Sequence, residues 1–380
     1  MINHYLGNQI YSKCKEETLI FSEEQTKMVE MHLKGFSEEK ILKEIFPKST
    51  DKEIEDNIEQ FKSILYNIIN MCDLYHDKPT GEKGKWYPMV INLEMTNKCN
   101  FNCPFCYKNA SLSKNDFIEE EIIQFICNNL ENKVNVLHLT GGEPLIYPNI
   151  NNIIAKLSRK FRVNITSNFS LHNNLDDETL KKVNSLQISL YGYDKNSYVN
   201  NIHSDYFSNV YDGIRRLENL GINYYFMIVA TEFVYKNIDK YKKFLDQFDK
   251  SKIKIENYNN VGRFKNKDLY DYKSKIMDNL KLDIINSEFE VEKKSFEDNL
   301  NLPLKCGAGV KHITISEKGK VYPCIDLERC ENIGVEFNEY KHYLKNGQIY
   351  NFLSQNFEFN EEDIAICNDY FEKTRQFYEK

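Results

Sequence analysis

The chain has 380 residues, 41% of them hydrophobic and 13% aromatic, which is enough for two or three domains with sizeable cores. Its formal net charge of −7 provides no global basic field, so we expect no nucleic-acid partner. The sequence has neither an export signal nor an apolar run near the ~20 residues that cross a bilayer, so we expect a cytoplasmic protein with no membrane partner.

The first predicted domain, residues 1–80, combines two strands with three helices. In chain order these are strands Gln9–Ser12 and Thr18–Phe21 and helices that begin at Ser22, Ser37 and Asp51. Ser22 and Gln25 have the spacing of a capping box, and Pro47 ends the second helix. This order of elements predicts a small winged-helix module.

Winged helices commonly bind DNA, but the third helix opens with acidic side chains that would repel phosphates: Asp51, Glu53, Glu55, Asp56 and Glu59. DNA binding is therefore disfavoured. The module instead resembles the leader-peptide-recognition (PqqD-like) domain of enzymes that modify ribosomally made peptides. The resemblance implies a precursor peptide as partner, whose leader segment adds as a strand to the edge of the module's sheet through main-chain hydrogen bonds.

The second predicted domain, residues 81–265, alternates apolar strand-like runs with amphipathic helix-like runs, the pattern of repeated β/α units. The six predicted strands are Met89–Leu93, Val134–Leu139, Arg162–Ile165, Leu186–Leu190, Tyr224–Val229 and Ile253–Asn257. The predicted helices between them are Phe117–Leu130, Ile150–Leu157, Asp177–Val183, Phe207–Leu220 and Asn237–Phe248. Six such units with right-handed connections predict an α/β fold, a partial (β/α)6 TIM barrel whose chemistry lies in the loops after the strands.

Three cysteines with the spacing C-x3-C-x2-C lie in the loop after the first of these strands: Cys99, Cys103 and Cys106. Ten cysteines in a chain without an export signal favour metal ligation or reduced thiols over disulfides. A four-iron cluster takes four ligands, so three thiolates leave one iron open to bind another molecule. A zinc knuckle is the alternative, but it needs four Cys or His ligands, and no fourth Cys and no His lies near this loop.

This spacing resembles the signature of the radical S-adenosylmethionine (SAM) enzymes. The resemblance implies a SAM-binding [4Fe-4S] cluster on Cys99, Cys103 and Cys106, with the amino and carboxylate groups of SAM on the open iron. In that family the reduced cluster cleaves SAM to a 5′-deoxyadenosyl radical, which abstracts hydrogen from the substrate. The resemblance also implies an external electron donor of the flavodoxin or ferredoxin type.

The loop after the second strand reads Thr140-Gly141-Gly142-Glu143-Pro144, and two adjacent glycines there allow close backbone approach to a ligand. It resembles the GGEP segment of the radical SAM enzymes, where the backbone and the Glu contact the SAM amino group. Glu143 can accept a hydrogen bond from an ammonium, which fits this role.

Two further segments extend the resemblance. Ile165–Asn168 and Ile188–Gly192 end the third and fourth strands and resemble the family's TTNG and SLDG segments. The resemblance places Asn168 near the ribose and Ser189 on the carboxylate of SAM, although both residues are also good turn caps. Arg263 belongs to a segment that resembles one near the adenine. The implied cofactor-binding residues are Tyr107, Gly141, Gly142, Glu143, Pro144, Asn168 and Ser189.

The third predicted domain, residues 266–380, reads as a hairpin with Cys306 and Cys324 at its two bases. It resembles the SPASM and twitch extensions of radical SAM enzymes. The resemblance implies one auxiliary [4Fe-4S] cluster, with the ligands Cys306, Cys324, Cys330 and Cys367. A second auxiliary cluster is not expected, because no cysteine follows Cys367.

Two alternatives remain for these cysteines. The same four thiolates suit a structural zinc ion, since all-cysteine zinc sites are common. Cys330 is alternatively a free thiol that acts as a catalytic hydrogen-atom donor. Three other cysteines have no ligand-like spacing and are interpreted as structural: Cys14, Cys72 and Cys127.

Together the resemblances imply a radical SAM maturase that modifies a ribosomally synthesised peptide. Oxidative cross-linking, to a thioether or a carbon–carbon bond, is the first hypothesis, because an auxiliary cluster can accept the second electron that oxidation releases. Peptide epimerisation with Cys330 as hydrogen donor is the second, and oxidation of a small molecule is the third. A DNA-binding iron–sulfur regulator is disfavoured by the charge of the first domain.

Overall fold

The computed structural model describes residues 9–12, 17–20, 23–72, 87–257, 263, 272–281, 312–325 and 334–348. Throughout these ranges, no helix combines the length and the apolar character that crossing a membrane requires.

The N-terminal unit is a two-stranded antiparallel hairpin followed by three helices. Its elements are β1 (Gln9–Ser12), β2 (Glu17–Ile20), α1 (Glu23–Leu33), α2 (Glu38–Ile45) and α3 (Asp51–Cys72). Ser37 caps α2 by accepting a hydrogen bond from the Lys40 N–H, and Thr50 and Glu53 exchange hydrogen bonds at the start of α3. The helices share a small apolar core of Met28, Val29, Ile41, Leu42, Ile54, Phe61, Leu65, Ile68 and Ile69. The predicted order of elements is confirmed; the expected capping residue Ser22 lies outside the described residues.

The central unit is built on six parallel strands that neighbour one another in chain order. They are β3 (Val90–Thr96), β4 (Val136–Gly141), β5 (Arg162–Ser167), β6 (Ser185–Ser189), β7 (Tyr224–Val229) and β8 (Ile253–Glu256). The helices around them are α4 (Glu120–Asn129), α5 (Ile150–Leu157), α6 (Asp177–Leu180), α7 (Lys195–Ile202), α8 (Phe207–Leu220), α9 (Glu232–Lys236), α10 (Ile238–Leu245) and α11 (Lys273–Leu280). The predicted α/β fold with a parallel six-stranded sheet is confirmed.

One predicted helix begins later than its apolar pattern suggests. Phe117 bridges Thr96, and the Ile118 N–H donates to the Met95 carbonyl, so these two residues extend the pairing of β3 instead of starting α4. The helix begins only at Glu120 because the preceding backbone is committed to the strand.

Alternate side chains of the strands separate into two faces, as the two-residue period of a strand requires. The apolar set packs with the helices in one large core that includes Leu93, Leu139, Ile165 and Ile188. The opposite side, here called the polar face, carries partly exposed side chains: Asn92, His138, Asn164, Thr166 and Gln187. Strand register aligns Asn92, His138 and Asn164 in one row across β3, β4 and β5.

The C-terminal elements extend this sheet beyond β3. Strand β9 (His312–Ile315) lies parallel to β3, and β10 (Lys320–Tyr322), β11 (Val335–Glu336) and α12 (Phe337–Asn346) follow. Because β10 runs antiparallel to β9, the turn at 316–319 lies at the same edge of the sheet as the carboxyl end of β3. The predicted hairpin is confirmed; its second cysteine, Cys324, follows β10 at the opposite edge.

Candidate functional site

The three-cysteine loop leaves the carboxyl end of β3, the edge where loops after parallel strands meet. Cys99 and Cys103 are buried and Cys106 is partly exposed. Backbone amides point at two of the sulfurs: the Phe101 N–H lies 3.4 Å from Cys99 Sγ, and the Ala110 N–H lies 3.4 Å from Cys106 Sγ. Such donors stabilise negative charge on sulfur, so the loop suits thiolates.

Without a metal the thiols of Cys99 and Cys103 are held neutral. Burial, with a smaller effect from the Glu143 charge, raises the pKa of Cys99 to about 12. Burial and the neighbouring thiols Cys106 and Cys99 raise the pKa of Cys103 even further. The mutual effect shows that the three sulfurs lie close enough to influence one another. A bound metal ion reverses this balance, since coordination deprotonates a thiol.

Three cysteines in one loop, with backbone N–H donors on two of their sulfurs, are suitable ligands for an iron–sulfur cluster. Within the described residues, no three Cys, His, Asp or Glu side chains converge closely enough to hold one metal ion. A cluster does not require that convergence, because each thiolate binds a different iron. The three sulfurs, two of them with N–H donors, meet the demands of cluster ligation.

The two glycines at the end of β4 are required by their contact with the backbone that leads into the cysteine loop. A Cβ on Gly141, whose φ is +112°, would lie 2.6 Å from the Thr96 carbonyl oxygen, and a Cβ on Gly142 would lie 2.2 Å from the Lys98 carbonyl oxygen. The Gly142 N–H donates to Thr96 O at 2.6 Å, and the Glu143 N–H donates to Lys98 O at 2.9 Å. The sequence predicts that the glycines allow close approach to a ligand. In the structure they allow close approach to the backbone that leads into the cysteine loop.

Glu143 is fully buried and organises the neighbouring loop. Its carboxylate accepts hydrogen bonds from Ser167 Oγ at 2.8 Å, from the Asn168 N–H at 2.8 Å and from the Leu145 N–H at 3.0 Å. Burial raises its pKa to about 7, and these three donors oppose the rise. A carboxylate has about four acceptor positions, so one remains for a further donor. Pro144, which is buried, begins the short helical turn that follows.

Asn168 joins the loop after β5 to the cysteine loop. Its Nδ2 lies 2.9 Å from Asn100 Oδ1 and 3.9 Å from Cys99 Sγ, while its Oδ1 accepts from the Ser170 N–H at 3.0 Å. Asn168 therefore caps its own turn, as one alternative predicted, and also contacts the cysteine loop. The next residue, Phe169, holds a left-handed backbone with φ of +59°, a strained conformation for a large side chain.

Tyr191, two residues after Ser189, packs beside the cysteine loop. Its electrostatic influence on Cys103, and that of Ser189 on Tyr191, indicate that the three side chains lie close together. Burial holds the pKa of Tyr191 well above its ordinary value, so Tyr191 stays a neutral O–H donor. Rings of Phe101 and Phe105 pack against Tyr191 with centroids 5.9 and 5.8 Å away.

Arg263 contacts the cysteine loop more extensively than its motif suggested. Its Nε donates to Cys103 O at 2.7 Å and its Nη1 to Ala110 O at 2.7 Å and to Asn109 Oδ1 at 3.1 Å. Its backbone N–H donates to Cys106 O at 3.1 Å. Arg263 therefore fixes the backbone on both sides of Cys106.

Two groups have environments that were not anticipated from the sequence: the buried Lys108 and the partly exposed His138. Lys108 lies between Glu94 and Glu317, and Tyr107 donates to Glu94 at 3.2 Å. His138, on the polar face, has its Nε2 2.6 Å from Thr166 Oγ1, and burial lowers its pKa to about 4. The signal for His138 was available: it is a polar residue inside an apolar strand. No sequence signal indicated the partner of Lys108.

Of the four cysteines predicted to bind an auxiliary cluster, Cys324 alone lies within the described residues. Cys324 is described and is partly exposed. Cys306, Cys330 and Cys367 lie outside the described residues, as do Cys14 and the segment before Arg263. Cys127 is buried in α4, in keeping with a structural role.

Comparison with known proteins finds a family match over the region that contains the cysteine loop. Residues 93–245 match the Radical SAM superfamily. The chain is 24% identical to the antilisterial bacteriocin subtilosin biosynthesis protein AlbA of Bacillus subtilis, over 75% of this chain and 68% of AlbA. It is 32% identical to GTP 3′,8-cyclase of Campylobacter fetus, over 39% of this chain and about half (48%) of the cyclase.

Solved structures share the fold. Streptococcus suis SuiB bound to its precursor peptide SuiA superposes with a TM-score of 0.59 at 14% identity, over 95% of this chain and 90% of SuiB. The anSMEcpe protein with bound AdoMet and the Cp18Cys peptide superposes with a TM-score of 0.50 at 15% identity, over 77% of this chain and 96% of anSMEcpe. The chain therefore contains a domain of the radical SAM superfamily, which spans residues 93–245.

Proposed function

We propose that the chain is a radical SAM maturase that modifies a ribosomally synthesised peptide by oxidative intramolecular cross-linking. The observation that carries the proposal is the three-thiol loop, with Cys99 and Cys103 buried, closed against the Gly141–Glu143 loop in a chain related to AlbA. The relative AlbA acts in bacteriocin biosynthesis by its name, and SuiB shares this fold in complex with a precursor peptide.

In this proposal Cys99, Cys103 and Cys106 hold a [4Fe-4S] cluster whose open iron binds SAM. When bound, the cluster and SAM supply one-electron chemistry that removes a hydrogen atom from the substrate. The chain's own residues bind and orient the reacting groups, and they exclude water from them. Arg263 and the Gly142 contact fix the loop, and the Tyr191 ring packs against Phe101 and Phe105 of the loop.

The cofactor-binding set surrounds this loop. Glu143 offers its remaining acceptor position to the amino group of SAM, and Asn168 and Ser189 offer polar groups on either side of it. Tyr107, Gly141, Gly142 and Pro144 complete the set proposed from the resemblance. These roles require that Glu143 be ionised, which an ammonium partner favours because opposite charge offsets the cost of burial.

The polar face of the sheet offers groups that suit a peptide substrate. It carries amides, hydroxyls and an imidazole whose low pKa keeps it neutral. Neutral donors and acceptors of this kind suit the main chain and uncharged side chains of a peptide.

The proposal divides the chain into three domains. Residues 1–80 bind the leader of the precursor as an added strand on the β1–β2 sheet, residues 81–265 form the partial barrel, and residues 266–380 carry an auxiliary [4Fe-4S] cluster. Cys306, Cys324, Cys330 and Cys367 are the proposed ligands of that cluster, which would supply an acceptor for the second electron of a cross-linking reaction. A flavodoxin or ferredoxin supplies the first electron.

The test is anaerobic co-expression with candidate precursor peptides encoded beside this gene, followed by mass spectrometry in water and in deuterated water. We expect the peptide to lose two hydrogens, and the loss to vanish in the Cys99→Ala/Cys103→Ala/Cys106→Ala variant. Cys127→Ala is the matched control, because this buried cysteine lies outside the site. Removal of the leader from the peptide should also abolish the modification.

Two other outcomes would overturn the cross-linking proposal. An unchanged mass in water with one deuterium incorporated from deuterated water identifies an epimerase, with Cys330 as the candidate hydrogen donor. Production of 5′-deoxyadenosine without any change in a peptide points to a small-molecule substrate.

A further inference from the structure

We propose that Lys108 is a positioning residue that joins the cysteine loop and the C-terminal hairpin into one structural unit, so that the loop holds its cluster-binding geometry only when the hairpin is docked. The cluster itself rests on the proposed function, but the coupling does not. The proposal follows from a buried network of three charged side chains beside the candidate site.

The three side chains lie close together and are almost completely excluded from water. Lys108 Nζ lies 2.5 Å from Glu94 Oε2 and 2.5 Å from Glu317 Oε2. The side chains are 2%, 0% and 4% exposed for Lys108, Glu94 and Glu317. Charged groups lose their hydration when they are buried to this degree, and the Lys108 ammonium offsets part of that cost for both carboxylates that it contacts.

The three residues come from three different parts of the chain. Glu94 is in β3, Lys108 is two residues beyond Cys106, and Glu317 is in the turn between β9 and β10. Parallel pairing of β9 with β3 places Ile315 beside Leu93, which brings the turn to the end of β3 where the cysteine loop begins. The sheet therefore delivers Glu317 to the site.

Lys108 lies within the segment whose backbone supports the third sulfur. The Ala110 N–H donates to Cys106 Sγ, and Ala110 O accepts from Arg263. Asn109, between Lys108 and Ala110, has a left-handed backbone with φ of +52°. A displacement of Lys108 is thus transmitted through two residues to the donor that faces Cys106.

The hairpin is in turn held by its own hydrogen bonds. The Ser316 N–H donates to Lys320 O at 2.8 Å, and the Phe337 N–H donates to Gly319 O at 2.8 Å, which ties the turn to α12. One ammonium group, that of Lys108, therefore links the docking of the C-terminal elements to the position of the cysteine loop.

The experiment is hydrogen–deuterium exchange of the complete chain, metal-free and cluster-loaded, with peptides that cover residues 97–111 and 312–322. Lys108→Met removes the ammonium that contacts both buried carboxylates, and loss of one partner of a buried ion pair typically shifts a local equilibrium by about 100-fold or more. We expect exchange in both segments to accelerate together by that factor. Lys181→Met is the matched control, since Lys181 pairs with Glu178 on the surface at 2.9 Å with 51% and 75% exposure.

Glu317→Gln keeps the size of the side chain and the pairing of Lys108 with Glu94, so it tests the coupling if Lys108→Met does not fold. We expect this variant also to accelerate exchange in both segments, by a smaller factor. In the double variant Lys108→Met/Glu317→Gln, removal of one uncompensated carboxylate should restore part of the protection lost in Lys108→Met.

A spectroscopic readout separates positioning from a general loss of stability. The electron paramagnetic resonance spectrum of the reduced cluster should shift in Glu317→Gln and stay unchanged in Lys181→Met. Acceleration confined to one segment, or exchange in both variants equal to that of Lys181→Met, would overturn the proposal. Because exchange is measured without SAM or peptide, failure here leaves the proposed function untouched.

Discussion

Replacement of Gly142 by Ala tests how closely the glycine loop must approach the cysteine loop. The added Cβ would lie 2.2 Å from Lys98 O, 2.8 Å from Lys98 C and 3.0 Å from Asn97 C, all backbone atoms. The two loops must separate by about 1 Å to restore an ordinary contact. Since φ of Gly142 is not positive, the effect comes from this contact and not from the backbone conformation of residue 142.

The separation costs two backbone hydrogen bonds, Gly142 N–H to Thr96 O and Glu143 N–H to Lys98 O. At about 1–2 kcal/mol for each bond left unmade at a partly buried position, we expect a loss of about 2–4 kcal/mol. At about 2–4 °C for each kcal/mol in a domain of this size, the thermal midpoint should fall by roughly 10 °C. Iron retained after anaerobic reconstitution should fall with it.

Gly221→Ala is the matched control. Gly221 has φ of +66° and no atom within 4 Å of an added Cβ, so the substitution costs only the left-handed conformation, about 1–2 kcal/mol. Thermal unfolding monitored by circular dichroism, with iron analysis, compares the two variants. If Gly142→Ala retains as much iron as Gly221→Ala and melts within about 2 °C of it, the two loops do not depend on this contact.

Three further predictions concern single side chains. Glu143→Gln places an amide N–H₂ group among the donors Ser167, Asn168 and Leu145. We therefore expect SAM to bind at least about tenfold more weakly in equilibrium titrations. Unchanged affinity would exclude Glu143 from the binding site. Arg263→Lys cannot keep the hydrogen bonds to both Cys103 O and Ala110 O, so hydrogen–deuterium exchange in residues 99–111 should accelerate about tenfold. Arg216→Lys loses comparable hydrogen bonds to His172 O and Leu175 O and should leave exchange in that segment unchanged. Equal effects of the two variants would contradict the role of Arg263. His138 has its pKa lowered from about 6.5 in the unfolded chain to about 4, so the folded state resists protonation, and its contribution to stability is present above pH 6.5 and is lost as pH falls toward 4. Between pH 7 and pH 5 the native chain should therefore lose about 2 kcal/mol more than His138→Gln in denaturant unfolding, and parallel curves would show that His138 is not buried as a neutral ring.

The sequence predicts those features that depend on local periodicity and on the rules of parallel sheets. Helices Ile150–Leu157 and Phe207–Leu220 have the predicted bounds, because their apolar stripes are continuous and Gly221 ends the second helix in the left-handed conformation. The meeting of the cysteine loop with the Gly141–Glu143 loop follows from strand order, since both leave the carboxyl ends of neighbouring strands.

Long-range partners are not encoded in any local pattern. Lys108 and Glu317 lie more than 200 residues apart, and a lysine beside a cysteine motif looks the same whether it is solvated or buried. Arg263 contributes four contacts to the cysteine loop that only a folded chain reveals. The glycine pair was predicted to approach a ligand, whereas its nearest neighbours are the Thr96 and Lys98 carbonyls, because sequence indicates the need for a small residue but not the atom that requires it.

The most direct test of the central claim is the formation of 5′-deoxyadenosine by the anaerobically reconstituted chain with SAM, a chemical reductant and the precursor peptide. We predict one 5′-deoxyadenosine for each peptide that loses two hydrogens, in the native chain and in Cys127→Ala alike, and none in Cys103→Ala. Equal formation by Cys103→Ala, or none by an iron-loaded native chain, would contradict the assignment of the three-cysteine loop as the reactive centre.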